Sequence, residues 1–165
     1  MKWNGVIAVA VAATAIAVPA AADNGATQFV DTWSHVSGDP FYAGDGVCNT
    51  STVAGYLADG SGIVRTTVTD NGGVLVRGHS DDTWQLFNAS GPPWDVTLGT
   101  FYATMTIHVS FEDVLAPNQQ EVLGNMADGR LTYPDGSWQT VHILFRMLIP
   151  PGSPPKFFMV KFTCG

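Results

Sequence analysis

The chain has 165 residues, of which 45% are hydrophobic, 11% aromatic and only 13% charged. Seven Lys and Arg stand against fourteen Asp and Glu, a formal net charge of −7. That much apolar surface excludes a disordered acidic tail. The acidic balance excludes a binder of phosphate backbones, so no nucleic acid partner is expected, and the length fits one domain.

The chain opens on an export address. Met1-Lys2-Trp3-Asn4 carries one positive charge, and Val6 to Val18 is an unbroken run of Ala, Val, Ile and Thr. The run is too short for a hydrocarbon core of about 30 Å. Pro19 ends it, and Ala20-Ala21-Ala22 places small side chains where a signal peptidase reads. Residues 1–22 are therefore expected to be a signal peptide, leaving one secreted domain over 23–165 with no membrane span.

Export changes the meaning of the cysteines. Cys48 and Cys164 permit a single pairing, and outside the cytosol a disulfide is the default. Two free thiols or a cysteine nucleophile are the alternatives, and no motif supports the nucleophile.

Turn clusters then punctuate the chain: Ser37–Pro40, Gly44–Gly46, Asp59–Gly62, Asp70–Gly73, Gly91–Pro93, Pro134–Ser137 and Pro150–Pro155. Between them β-branched and aromatic runs predict strands over Gln28–Val36, Ser51–Ala58, Ile63–Thr69, Val74–His79 and Thr83–Asn88. Phe101 to Glu112 alternates strictly. Phe101, Ala103, Met105, Ile107, Val109 and Phe111 fall on one face, and Tyr102, Thr104, Thr106, His108, Ser110 and Glu112 on the other. Only Pro117–Leu123 allows a short helix.

The last two runs propose a register. With Pro150–Pro155 as the loop, Met147 faces Phe158, Phe145 faces Val160, Ile143 faces Phe162 and Val141 faces Cys164, an apolar layer that a one-residue slip would spoil. Upstream, a loop Asp135-Gly136-Ser137 sets Leu131 opposite Val141. About eight short antiparallel strands predict a small closed barrel, with a two-sheet sandwich as the alternative.

Candidate sites are of two kinds. Phe101, Met105, Ile107, Val109, Phe111, Phe145, Phe158 and Phe162 would line an interior cavity suited to a small apolar ligand. Leu144, Leu148, Phe157 and Met159 form an outward apolar stripe that marks an interface, in the simplest case of a homo-oligomer, unless Phe29 or Trp33 packs over it.

Chemistry-bearing residues are sparse. The histidines His35, His79, His108 and His142 lack ligand spacing, and His108 with His142 would serve a metal only on neighbouring strands, so no metal or cofactor is expected. Asp-rich turns fit no calcium loop. His79-Ser80-Asp81 sets triad residue types side by side, but triads assemble through tertiary geometry and no nucleophile elbow accompanies them.

The Ala-rich export signal, the scarcity of lysine, Gly129–Ser137 and the closing Lys161-Phe162-Thr163-Cys164-Gly165 resemble the small exported β proteins of actinobacteria. A more distant likeness, in architecture only, is to allene-oxide-cyclase-like and lipocalin-like barrels, which implies a barrel with an apolar cavity. Neither carries a site residue over. The expected function is a non-catalytic exported barrel that binds a small apolar ligand or a partner protein. Two alternatives stand beside it. One is a barrel isomerase or cyclase, needing Tyr102, His108 or Glu112 turned inward. The other is a structural protein of the cell envelope.

Overall fold

A computed structural model describes residues 18–21, 26–48, 51–70, 72–115, 121–149 and 157–165, with backbone alone at 18–21, 111, 113–115, 121–126, 145–149 and 157–160. The described residues form strands and turns with no helix. The strands are β1 (Val18–Ala21), β2 (Thr27–Val36), β3 (Pro40–Ala43), β4 (Val53–Val68), β5 (Val74–Ser90), β6 (Thr97–Leu115), β7 (Glu121–Thr132), β8 (Trp138–Ile149) and β9 (Phe157–Cys164). They make one antiparallel sheet in the order β1-β2-β4-β5-β6-β7-β8-β9, with β3 paired to the other end of β4. β1 lies inside the predicted export signal, so in a chain cut after Ala22 the sheet edge would be β2.

The architecture corrects two expectations. There is one sheet, not a two-sheet sandwich, and it does not close into a barrel, because no backbone ladder joins β3 to β9 among the described residues. The sheet instead curls until these strands face each other across a seam. Phe41 on β3 packs edge-on against Phe162 on β9, ring centroids 6.2 Å apart, and the Cys48–Cys164 disulfide spans the same seam with Cα atoms 5.5 Å apart.

Strand limits also differ from the sequence pattern. Asp59-Gly60-Ser61-Gly62 reads as a turn, yet β4 runs through it. The chain is diverted there by a bulge between Leu57 and Asp59 rather than reversed. Leu57 N–H donates to Asp39 O at 2.8 Å and Gly38 N–H to Leu57 O at 2.8 Å, so the 37–39 loop docks on the bulge. β2 and β3 thereby act as one interrupted strand along β4. Gly62 is required by Trp33, whose ring lies where a Cβ would project. At Glu121–Leu123, the end of the segment whose sequence allows a short helix, the backbone belongs to β7.

The last hairpin has the predicted register: Val141↔Cys164, Ile143↔Phe162, Phe145↔Val160 and Met147↔Phe158. The preceding one is displaced by two residues, Leu131 facing Gln139 and Gly129 facing Val141. The cause is the turn. Gly136 N–H donates to Tyr133 O at 3.0 Å, Gly136 takes φ 83°, and Tyr133 N–H reaches Ser137 O at 2.9 Å, a type I turn followed by a glycine bulge. Pro134 sits inside this turn, where its missing N–H costs no ladder bond. A two-residue shift preserves the faces, so Leu131 still points inward.

The core lies on the concave face near the seam: Phe41, Val47, Val53, Leu57, Trp84, Leu86, Met105, Leu131, Val141 and Ile143 are buried. Met105, Ile107 and Ala103 keep the predicted inward face, but Phe101 does not. A bulge at Tyr102 turns Phe101 outward, opposite Phe87 and 40% exposed, while Tyr102 swings toward the core and donates to Val47 O at 3.3 Å. Val109 and Phe162 pack partly against the core. The side chains of Phe111, Phe145 and Phe158 lie outside the described residues, as do residues 150–155.

Candidate functional site on the outer sheet face

Leu86, Ala103, Leu131, Val141, Val47 and Val53 are 0% exposed and Met105 1%. No void as large as a water molecule borders such side chains, so the cavity expected around Met105 is filled at this level of the core. The outer stripe is only partly described. Leu144 is half-buried, and the side chains of Leu148, Phe157 and Met159 lie outside the described residues. Trp33 cannot cover the stripe, because it packs on Gly62, on the concave face of the opposite sheet margin.

The convex face of β4–β8 is where polar and aromatic side chains gather. Cross-strand pairing sets Tyr56, Gln85, Thr104, Thr132 and Trp138 in one row. Tyr56 stacks on Phe87 at 6.0 Å and 26°, and Phe87 meets Phe101 edge-on at 5.6 Å. Tyr56 Oη donates to Gln85 Oε1 at 2.7 Å. At the far end Arg130 Cζ lies 4.4 Å over the Trp138 ring. Phe101, Tyr56 and Trp138 all remain exposed.

The next row is Asp59, Thr83, Thr106, Arg130 and Thr140, and beyond it come Ser61, Asp81, His108, Asp128, His142 and Thr163. Asp59, Ser61, Asp81, Thr83, Thr106 and His108 surround an open depression of about 380 Å³. Acid and base alternate along the third row: His108 Nδ1 is 2.8 Å from Asp81 Oδ1, and His142 Nδ1 contacts Asp128 Oδ1. His108 and His142 thus share a row, but β7 stands between them. Among the described residues no group of three or more His, Cys, Asp or Glu gathers to hold a metal ion.

On the concave side, Asp82 sits beside Gly60 and opposite Ile107, and takes a 3.2 Å hydrogen bond from Ser80 Oγ. Partial burial raises its carboxyl above the ordinary range, the Ser80 bond opposes this, and nearby Asp81 and Asp39 add to it. In the sequence Asp82 reads as a turn aspartate. Its place on the core face follows from the parity it shares with Trp84 and Leu86 in a strand that continues past it.

His108 and Glu112 keep their predicted outward side, Glu112 pairing with Arg77 at 2.9 Å. Tyr56, Gln85 and Trp138 escape a reading by motif. Each is an ordinary strand residue until register lines it up with the others.

No family model, curated protein or solved structure matches the chain. No helix among the described residues is long and apolar enough to cross a membrane.

Proposed function

We propose that the protein is an exported binding module whose ligand lies on the convex face of β4–β8, and that the ligand is amphipathic and polyhydroxylated, of the saccharide class. The row Tyr56–Gln85–Thr104–Thr132–Trp138 carries this reading. Five strands at about 4.8 Å spacing place exposed rings at the two ends of a strip about 19 Å long. An amide and two threonine hydroxyls lie between them. Sugar rings present apolar C–H faces to aromatic π surfaces and hydroxyl edges to hydrogen-bonding side chains. The parallel row from Asp59 to Thr140 adds a carboxylate, further hydroxyls and a guanidinium on one flank.

An apolar guest inside the sheet is the weaker reading, since the side chains around Met105 leave no space there. The Cys48–Cys164 disulfide is compatible with an extracellular location.

The test is calorimetric titration of the full chain with a panel of soluble neutral oligosaccharides. Binding to at least one is expected, with Tyr56→Ala and Trp138→Ala each weakening it about tenfold, the scale of a lost aromatic contact. The melting temperature should hardly move, because both side chains are exposed. Absence of binding across the panel, or affinity indifferent to both substitutions, overturns the assignment.

A further inference from the structure

The third row of the convex face contains an arrangement independent of the saccharide strip. Asp81 on β5 and His108 on β6 are direct cross-strand partners, and Asp81 Oδ1 lies 2.8 Å from His108 Nδ1. The other ring nitrogen, Nε2, lies 3.3 Å from Oγ of Ser110. Ser110 is two residues further along β6, so the pleat brings both side chains to one face. A carboxylate on Nδ1 and a hydroxyl on Nε2 is the connectivity by which an imidazole, held as the Nδ1–H tautomer, removes a proton from a serine.

A second imidazole stands on the neighbouring strand beside that serine. His79 is the register partner of Ser110, and its ring centroid lies 5.9 Å from that of His108. The backbone N–H groups here belong to the sheet ladders, so a side chain must supply any donor to a developing oxyanion, and His79, across the strand pair from Ser110, is the neighbouring side chain that carries an N–H. The side chains of His108 and Asp81 are 53% and 72% exposed and Ser110 itself is exposed, so a small ester reaches it without any opening of the fold.

We propose that Ser110 is a nucleophile activated by His108, with Asp81 as the positioning residue, that accepts acyl groups from small activated esters and releases them to water. Ser110 Oγ bonds to the ester carbonyl carbon while its proton passes to His108 Nε2. The tetrahedral intermediate, its oxyanion facing His79, then expels the alcohol, which takes that proton. Water attacks the acyl-serine by the same route, His108 accepting the proton and returning it to Ser110 Oγ, and the free acid leaves.

The experiment treats the full chain with p-nitrophenyl acetate and, separately, with an alkyl fluorophosphonate, and locates the adduct by peptide mass spectrometry. The expected adduct is on Ser110 with both reagents. Ser110→Ala should abolish it, and His108→Gln should slow p-nitrophenol release by on the order of 100-fold. Asp81→Asn should slow release at least tenfold while Asp81→Glu restores most of it, a pattern that loss of structure would not produce. Thermal melts of all four variants verify the fold. Absence of an adduct, an adduct confined to a histidine or lysine, or hydrolysis that persists in Ser110→Ala overturns the proposal.

Discussion

β4 is paired along its far side by two strands, and the halves of the molecule so defined are held by different means. In the half where β3 covers Val53–Tyr56, the seam to β9 supplies an opposing wall, and Val53, Leu57, Trp84, Leu86, Met105 and Val141 are buried. In the half where β2 covers Gly60–Val68, no strand among the described residues stands opposite, and the concave-face residues Val64, Val68, Val74 and Val76 are only half-buried. The residue types are alike and the ladder is continuous. Burial here is thus decided by what stands opposite a strand, not by its own apolar content.

Removing the staple should have the largest effect on this contrast. Cys48 and Cys164 are 116 positions apart, and opening a loop of that length costs about 4–5 kcal/mol in the chain-entropy model. Cys48→Ser is expected to lower the unfolding free energy by that order in chemical denaturation. A loss below about 1 kcal/mol would mean that the packing of Phe41, Val47 and Phe162 closes the seam unaided.

Cavity-creating substitutions sharpen the comparison further. Met105→Ala in the stapled half should cost about 3 kcal/mol, whereas Val76→Ala in the open half should cost no more than about 1 kcal/mol. Equal losses in denaturant titrations would show that the open half is covered in solution.

The smallest effect is expected at Asp82, where the halves meet. Burial raises its carboxyl above the ordinary range, so the fold favours the protonated form. The contribution of Asp82 is therefore most favourable in acid and is lost as pH rises through the ordinary carboxyl range toward the raised folded-state value. Asp82→Asn should then raise the melting temperature slightly at pH 7, with the gain vanishing near pH 3. A lower melting temperature at pH 7 would show that the ionised carboxylate is needed on the core face.

Local chemistry was sufficient for much of the fold. Period-two alternation from Ala103 to Ser110 assigns one strand and both its faces, because successive side chains must point to opposite sides. The parity of Val141–Met147 against Phe158–Cys164 excludes every odd slip of the last hairpin, which would turn the apolar layer to solvent, and the choice of Pro150–Pro155 as the loop selects among the even registers. The pairing of Cys48 with Cys164 needed only a count of two together with the expectation of an oxidising compartment.

Other features depended on neighbours remote in sequence. Gly60 and Gly62 resemble a turn until Asp82 and Trp33 are seen to occupy the space their missing side chains leave. The outward turn of Phe101 follows from a bulge, and a single inserted residue leaves no mark on composition. Whether the sheet closed, and whether Asp81 met His108 or Tyr56 lined up with Trp138, depended on register and curvature accumulated over long strands. Periodicity assigns a side chain to a face; it does not choose the cross-strand partner beside it, and the proposed chemistry of this protein rests on those partners.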